Sequence, residues 1–303
     1  MAISRSQLVK ELEPGLNALF GLEYNRYDNE HAEIFMTESS DRAFEEEVML
    51  GGFSTAPVKN EGQSISFDDA QETYTARYTH ETIALAFSIT EEAVEDNLYD
   101  RLASRYTKAL ARSMAQTKQI KAAAIMNNAF TAGVNAVGDG AALCSAAHPS
   151  LSGNQTNVLA VAADLNETSL EQMLIDIAGM TDERGLKIAV RGMKLIIPKE
   201  LQFIAERVIN SNLRSGTADN DNNAMKSMGM LPDGAVVNHF LTDTDAFFIK
   251  TDAPNGFKYF NRSAIKTAME GDFDTGNMRF KARERFSFGV SDWRCVYGAP
   301  GAA

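Results

Sequence analysis

Residues 90–130 read TEEAVEDNLYDRLASRYTKALARSMAQTKQIKAAAIMNNAF, inside a longer run from Gln63 to Ala132 without glycine or proline. With both breakers absent over such a length, a helix can propagate unbroken. Thr90 suits its start, because a threonine hydroxyl can accept from an otherwise unpaired first-turn amide. All five acids of the stretch, Glu91, Glu92, Glu95, Asp96 and Asp100, precede all six bases, Arg101, Arg105, Lys108, Arg112, Lys118 and Lys121. That order complements the helix dipole. The spacing predicts one helix from Thr90 to about Phe130, a rod of roughly 60 Å, much longer than the ordinary globular helix. At about 100° per residue, Leu102, Tyr106, Leu110, Ile120 and Ala124 share one side, and Arg101, Arg105, Lys108 and Arg112 gather on another. A solvated basic stripe is the common explanation; a stripe facing a polyanion is the sharper one.

Upstream, residues 53–89 alternate strictly. Ile65 and Phe67 interleave with Ser64, Ser66 and Asp68; Tyr74, Ala76 and Tyr78 follow; then come Ile83, Leu85, Phe87 and Ile89. This predicts a long hairpin turning near Asp68–Glu72. An isolated two-stranded ribbon is not stable in water, so it needs a sheet of its own or a neighbouring molecule. Residues 1–52 hold 11 acids and 4 bases, with scattered aromatics. A short helix over Ser4–Phe20, interrupted at Pro14-Gly15, and then an extended arm are expected. The arm either packs on another subunit or adds strands to its own domain.

Downstream, residues 133–157 are rich in glycine, alanine, serine and asparagine, and read as an irregular boundary. Residues 166–265 read as an α/β unit, with a helix over Ser169–Thr181, a strand over Lys187–Ile197, and a helix started by Pro198. A flexible Asn/Asp-rich loop follows over Ser211–Gly229, then short strands, the last of them over Phe257–Phe260. Strand-like runs over Met278–Phe288 and Trp293–Tyr297 close the chain.

The chain has 303 residues, a formal net charge of −12 and 44% hydrophobic content. It can bury a sizeable core, and its acidity argues against a dedicated nucleic-acid reader. No apolar run is long enough to span a membrane, and no secretory signal opens the sequence. Cys144 and Cys295 are expected to be free thiols. There is no P-loop, no G-x-S-x-G elbow and no H-E-x-x-H. Asp219, Asp221 and Asn223 begin like a calcium loop, but Ala224 and Met230 stand where the turn glycine and bidentate acid belong. Cys144 and His148, four apart, could be nucleophile and base or two metal ligands, but a thiolate needs an electropositive site and zinc needs further ligands. Asp243 and Asp245 fit a turn better than a carboxylate pair. No cofactor, metal or membrane partner is expected.

Three stretches carry a family likeness: Leu143-Cys144-Ser145-Ala146-Ala147-His148-Pro149 with Gly153 and Asn157; Leu195-Ile196-Ile197-Pro198-Lys199-Glu200-Leu201; and Phe286-Ser287-Phe288-Gly289-Val290-Ser291-Asp292-Trp293-Arg294. With the order of parts, the sequence resembles the major capsid proteins of tailed bacteriophages, in particular the Mu-like major head subunit group. The resemblance implies an α+β Hong Kong 97-type fold: an N-terminal arm over 1–52, an extended hairpin loop over 53–89, a peripheral domain over 90–165 completed by 266–303, and an axial domain over 166–265. It implies a non-enzymatic virion protein, assembled in the host cytoplasm as hexamers and pentamers around packaged double-stranded DNA. Portal and decoration proteins are possible partners. Some relatives carry a scaffolding prefix of about a hundred residues; here the hairpin begins near residue 53, which implies a separate scaffolding protein. Ile65, Phe67, Tyr74 and Tyr78 are then expected to contact a neighbouring subunit, and Arg101, Arg105, Lys108 and Arg112 to face DNA through non-specific phosphate contacts. Asp219, Asn220, Asp221, Asn222 and Asn223 are expected in a loop near the capsomer axis, with the two aspartates forming an acidic ring. The alternatives are an encapsulin-like nanocompartment shell and a soluble enzyme using Cys144 and His148.

Overall fold

The computed structural model describes residues 5–90, 92–93, 99–134, 137–213, 221–272 and 275–302, with side chains from residue 14 and, in the long helix, from residue 103. The helices are α1 (Arg5–Tyr24), α2 (Tyr99–Asn127), α3 (Glu167–Ala178), α4 (Gln202–Asn210) and α5 (Ala224–Met228). The strands are β1 (Met36–Ser39), β2 (Phe44–Gly51), β3 (Gln71–Thr79), β4 (Glu81–Ile89), β5 (Gly192–Ile197), β6 (Ala235–Val237), β7 (Phe247–Thr251), β8 (Phe257–Gly271), β9 (Met278–Val290) and β10 (Val296–Ala299). They form two four-stranded sheets, ordered β1-β8-β9-β4 and β10-β7-β5-β6, and a separate ribbon β2-β3.

The first sheet is organised by the period of β9. Phe280, Ala282, Glu284 and Phe286 are buried, while Arg279, Lys281 and Arg283 between them are exposed, as alternation across a strand requires. Phe280 and Ala282 meet the long helix α2 and the arm helix α1 in one cluster with Leu16, Phe20, Leu110 and Met114. The expected helix start is visible: Thr90 Oγ1 accepts from the Ala93 amide at 3.4 Å, and residues 92–93 are helical. Residues 91 and 94–98 lie outside the described residues. The element α2 itself is 29 residues long, Tyr99–Asn127, about 43 Å against the single rod of roughly 60 Å expected from Thr90 to Phe130. Its expected apolar face is corrected. The buried seam is Ala103, Thr107, Leu110, Ala111 and Met114, whereas Tyr106 and Ile120 are each 50% exposed. Ala103, Thr107 and Ala111 let the helix press closely on its neighbours, Leu110 and Met114 fill the seam, and Tyr106 and Ile120 ride at its rim.

Pro14 does not interrupt α1, contrary to expectation. Burial of Leu16 and Phe20 beyond it outweighs one missing amide donor. The expected hairpin is also corrected. Residues 53–70 contain no strand; β3 pairs backwards with β2, from Phe44↔Thr79 to Gly51↔Gln71, and β4 pairs with β9. The arm therefore supplies β1, parallel to β8, and one limb of the ribbon.

The second sheet takes its centre from Leu195, Ile196, Ile197, Phe247, Phe248 and Ile249, all buried. β10 closes one edge against β7, so residues 296–299 join the sheet of the α/β unit, and the long β8 leaves it. Both differ from the expected boundaries at 265/266. A reciprocal cap between Asn166 and Ser169 starts α3. Pro198 precedes the short turn Lys199–Leu201 rather than occupying the first helical position. Residues 137–157 are no linker, because Leu143, Cys144, His148 and Asn157 are buried. The Asn157 carboxamide stands in for a ladder: Oδ1 accepts from Ser145 N at 2.8 Å, and Nδ2 donates to Leu143 O at 2.8 Å and Val296 O at 3.1 Å.

Candidate assembly surfaces

The ribbon β2-β3 leaves the body at two crossings, residues 40–43 and His80, and one imidazole ties both. His80 Nε2 lies 2.9 Å from Ser40 Oγ, and Nδ1 lies 2.9 Å from Ser287 Oγ on β9. Burial, and secondarily the Arg285 guanidinium, hold this imidazole below its ordinary pKa. Below the crossing, Glu47 bonds the Lys258 ammonium and the Ser291 hydroxyl, and Lys258 also lies 3.2 Å from Glu38. Tyr78 bonds Ser291 and sets its ring 4.9 Å from that of Phe260. A Cβ at Gly289 would meet the Tyr78 ring at 2.5 Å, so only glycine allows this packing.

Tyr78 is therefore spent within its own chain, which corrects its expected role in a neighbour contact. Tyr74 is half-buried against the same body, and its phenol is pushed up by burial. Ile65 and Phe67 behave otherwise: they are 69% and 96% exposed, beside exposed Phe53 and Val58. Four large apolar side chains thus stand mostly exposed on the segment between the two limbs of the ribbon. Sequence alternation marked the tip but could not separate it from the base, because both carry the same period.

On α2, Arg105 and Lys108 are exposed, and the Arg101 side chain lies outside the described residues. Arg112 is drawn aside: its guanidinium is 3.7 Å from Glu23 and stands 5.6 Å over the Tyr27 ring. Lys118 is consumed entirely, 2.8 Å from buried Glu284 and 2.6 Å from the Tyr24 hydroxyl. This pairing of helix, arm and sheet was invisible in the sequence, since its members are 94 and 260 residues apart.

Asp219 and Asn220 lie outside the described residues. Asp221 and Asn222 are exposed, with Asn222 bridging Leu213 at the base of the loop. Asn223 is corrected: it is buried, accepts from Met225 N at 3.0 Å to cap α5, and donates to Val208 O at 2.6 Å. The second half of the expected flexible loop is thus a helix, ended by Gly229 at φ 60°.

Cys144 and His148 are both buried, and no hydrogen bond joins their side chains among the described residues. Burial pushes the Cys144 thiol well above its ordinary pKa, while His148 is bonded to Asp139 and Asn157. Asp243 and Asp245 form a turn, with Asp245 N donating to Asp243 Oδ1. Among the described residues no helix is long and apolar enough to cross a membrane, and no three His, Cys, Asp or Glu side chains are placed to hold a metal.

A family model described as phage capsid protein matches residues 73–299. No curated protein matches the chain by sequence. Among solved structures, the capsid of an empty GTA particle aligns with a TM-score of 0.56 at 11% identity, covering 92% of this chain and 91% of that one. The capsid of Myoviridae phage XM1 gives 0.53 at 11% identity, covering 88% and 89%. A virus-like particle from Pyrococcus furiosus gives 0.53 at 9% identity, covering 94% and 97%. At these identities the likeness establishes a shared Hong Kong 97-type fold.

Proposed function

The chain belongs to the phage capsid protein family and is a structural, shell-forming protein of the virion; from that premise we propose how its copies join and what they enclose. Copies assemble in the host cytoplasm into hexamers and pentamers of an icosahedral or prolate shell around double-stranded DNA. A separate scaffolding protein guides them, a portal occupies one vertex, and the outer surface is open to a decoration protein. The tip of each ribbon lies across a neighbouring copy. One observation carries this reading: Phe53, Val58, Ile65 and Phe67 are exposed together on a segment without strand partners, and such a segment gains order only by burial elsewhere. The spine cations Arg105 and Lys108 face the DNA. The loop over residues 211–229 approaches the capsomer axis with Asp219 and Asp221, and Asn223 anchors its base.

A nanocompartment shell shares the fold, but the family match is to phage capsid proteins. The enzyme alternative loses its nucleophile to burial.

Negative-stain microscopy of the purified protein tests the assembly, with closed shells or capsomers expected. Replacing residues 54–68 with a short linker should leave soluble capsomers that do not close. Normal shells from that deletion would overturn the role of the tip.

A further inference from the structure

We propose that the free edge of β4 accepts residues 63–68 of a second copy as an added strand. This rests on the reading that the ribbon tip lies across a neighbour, and it names where the tip lands.

The β4 strand ends its sheet. All nine of its residues pair with β9 without a bulge, from Glu81↔Phe286 to Ile89↔Met278. Among the described residues, no backbone hydrogen bond reaches its outer edge. Sheet edges are ordinarily blunted by lysine, proline or a bulge. The sequence Glu81-Thr82-Ile83-Ala84-Leu85-Ala86-Phe87-Ser88-Ile89 has none of these, and its one charge stands at the end.

The two faces at this edge differ. Toward α2 lie Ile83, Leu85 and Phe87, with the Phe87 ring 5.8 Å from that of Tyr106. Leu85 is 46% exposed and Tyr106 50%, so an apolar strip lies open beside the strand. On the opposite face, Thr82, Ala84, Ala86 and Ser88 sit across from Arg285, Arg283, Lys281 and Arg279. Successive cations there are about 7 Å apart. Lys281 and Arg283 are exposed and have no ionic partner among the described residues.

Residues Gln63-Ser64-Ile65-Ser66-Phe67-Asp68 carry the matching alternation. Their Ile65 and Phe67 are exposed, and backbone 64–67 makes no hydrogen bond among the described residues. Laid along β4, Ile65 and Phe67 cover the Leu85–Tyr106 strip, and Ser64, Ser66 and Asp68 fall on the side of Lys281 and Arg283. A slip of one residue would put both apolar side chains on the cations, so the facing is specified. Strand addition of this kind takes affinity from the main chain and specificity from alternate side chains. Within the described chain, residues 64–67 and the outer edge of β4 do not pair with each other, so the added strand comes from another copy. Each copy gives a tip and receives one, a head-to-tail contact that closes into rings.

Cysteine pairs test the placement in assembled shells, since adjacent strands hold facing Cβ atoms within disulfide reach. Phe67→Cys combined with Ile83→Cys or Leu85→Cys should give a ladder of cross-linked oligomers on oxidation. Phe67→Cys with Ala84→Cys, which lies on the other face, should give none. A folded Leu85→Lys variant with unchanged melting should close at least ten-fold fewer shells. If neither apolar-face pair cross-links while deletion of residues 54–68 still prevents closure, the tip docks elsewhere and the β4 assignment falls alone. If that deletion closes normally, both readings fall. Normal shells from Leu85→Lys would also overturn the β4 edge.

Discussion

The imidazole of His148 lies flat on the indole of Trp293, with ring centroids 4.3 Å apart and planes 4° apart. Nδ1 is 2.7 Å from Asp139 Oδ2 and Nε2 is 3.0 Å from Asn157 Oδ1. This stack pins an irregular segment to the turn between β9 and β10. Replacing His148 with Leu strands the buried Asp139 carboxylate, and should cost about 3–5 kcal/mol. Trp293→Ala should cost about as much through its cavity. Urea midpoints would measure both, with exposed Ser150→Ala staying within about 0.5 kcal/mol.

Lys118, Glu284 and Tyr24 act as one unit. The Glu284 Oε2 atom takes the Tyr24 hydroxyl at 3.0 Å and the Lys118 ammonium at 2.8 Å, under the Tyr24, Tyr259 and Phe286 rings. Lys118→Met alone leaves a buried unpaired carboxylate and should lose about 3–5 kcal/mol. Lys118→Met with Glu284→Leu should recover much of it. Additive losses in chemical denaturation would show that the three groups are independent.

Acid should weaken the fold through His31. Burial between Tyr259 and Phe288 lowers its pKa to about 4. The unfolded chain, with an ordinary pKa of about 6.5, then binds the proton more readily. Stability falls as pH drops from about 6.5 to about 4 and levels below, by at most on the order of 3 kcal/mol. His31→Phe should change stability little at neutral pH and flatten that slope. His80, also held low, keeps part of it. An unchanged slope in His31→Phe would remove this account.

What the sequence revealed depended on whether a single element carried the information. The helical turn capped by Thr90 and the buried Leu195–Ile197 strand were legible because period and local chemistry suffice for each. The partner of β3 was not legible, because alternation says that a strand exists but not which strand it joins. Asn223 looked like loop composition and proved to be a cap, since asparagine suits both. The fates of Arg112 and Lys118 depended on Glu23, Tyr24 and Glu284, which only the tertiary fold brings to the helix. The loop over 137–157 misled because its order comes from the Asn157 and His148 side chains, not from any backbone period.

Among the described side chains of the spine helix, the basic stripe reduces to Arg105 and Lys108. The Arg105 position lies roughly opposite the buried seam of Ala103, Leu110 and Met114 on the helix wheel, so its charge points away from the sheet. Lys281 and Arg283 occupy the other face of this two-layer domain. On the proposed reading the face of α2, not that of β9, turns toward the shell's contents. Replacing Arg105 and Lys108 with Gln should leave assembly intact and lower the salt dependence of duplex binding, by about 0.9 in log–log slope for each phosphate no longer neutralised. Lys281→Gln with Arg283→Gln should leave that slope unchanged while weakening closure. Arg112→Gln should act mainly on stability, by releasing Glu23. Titrating duplex DNA against shells opened at several salt concentrations reads all three, and a slope that moves with the β9 pair instead would reverse the orientation of the subunit.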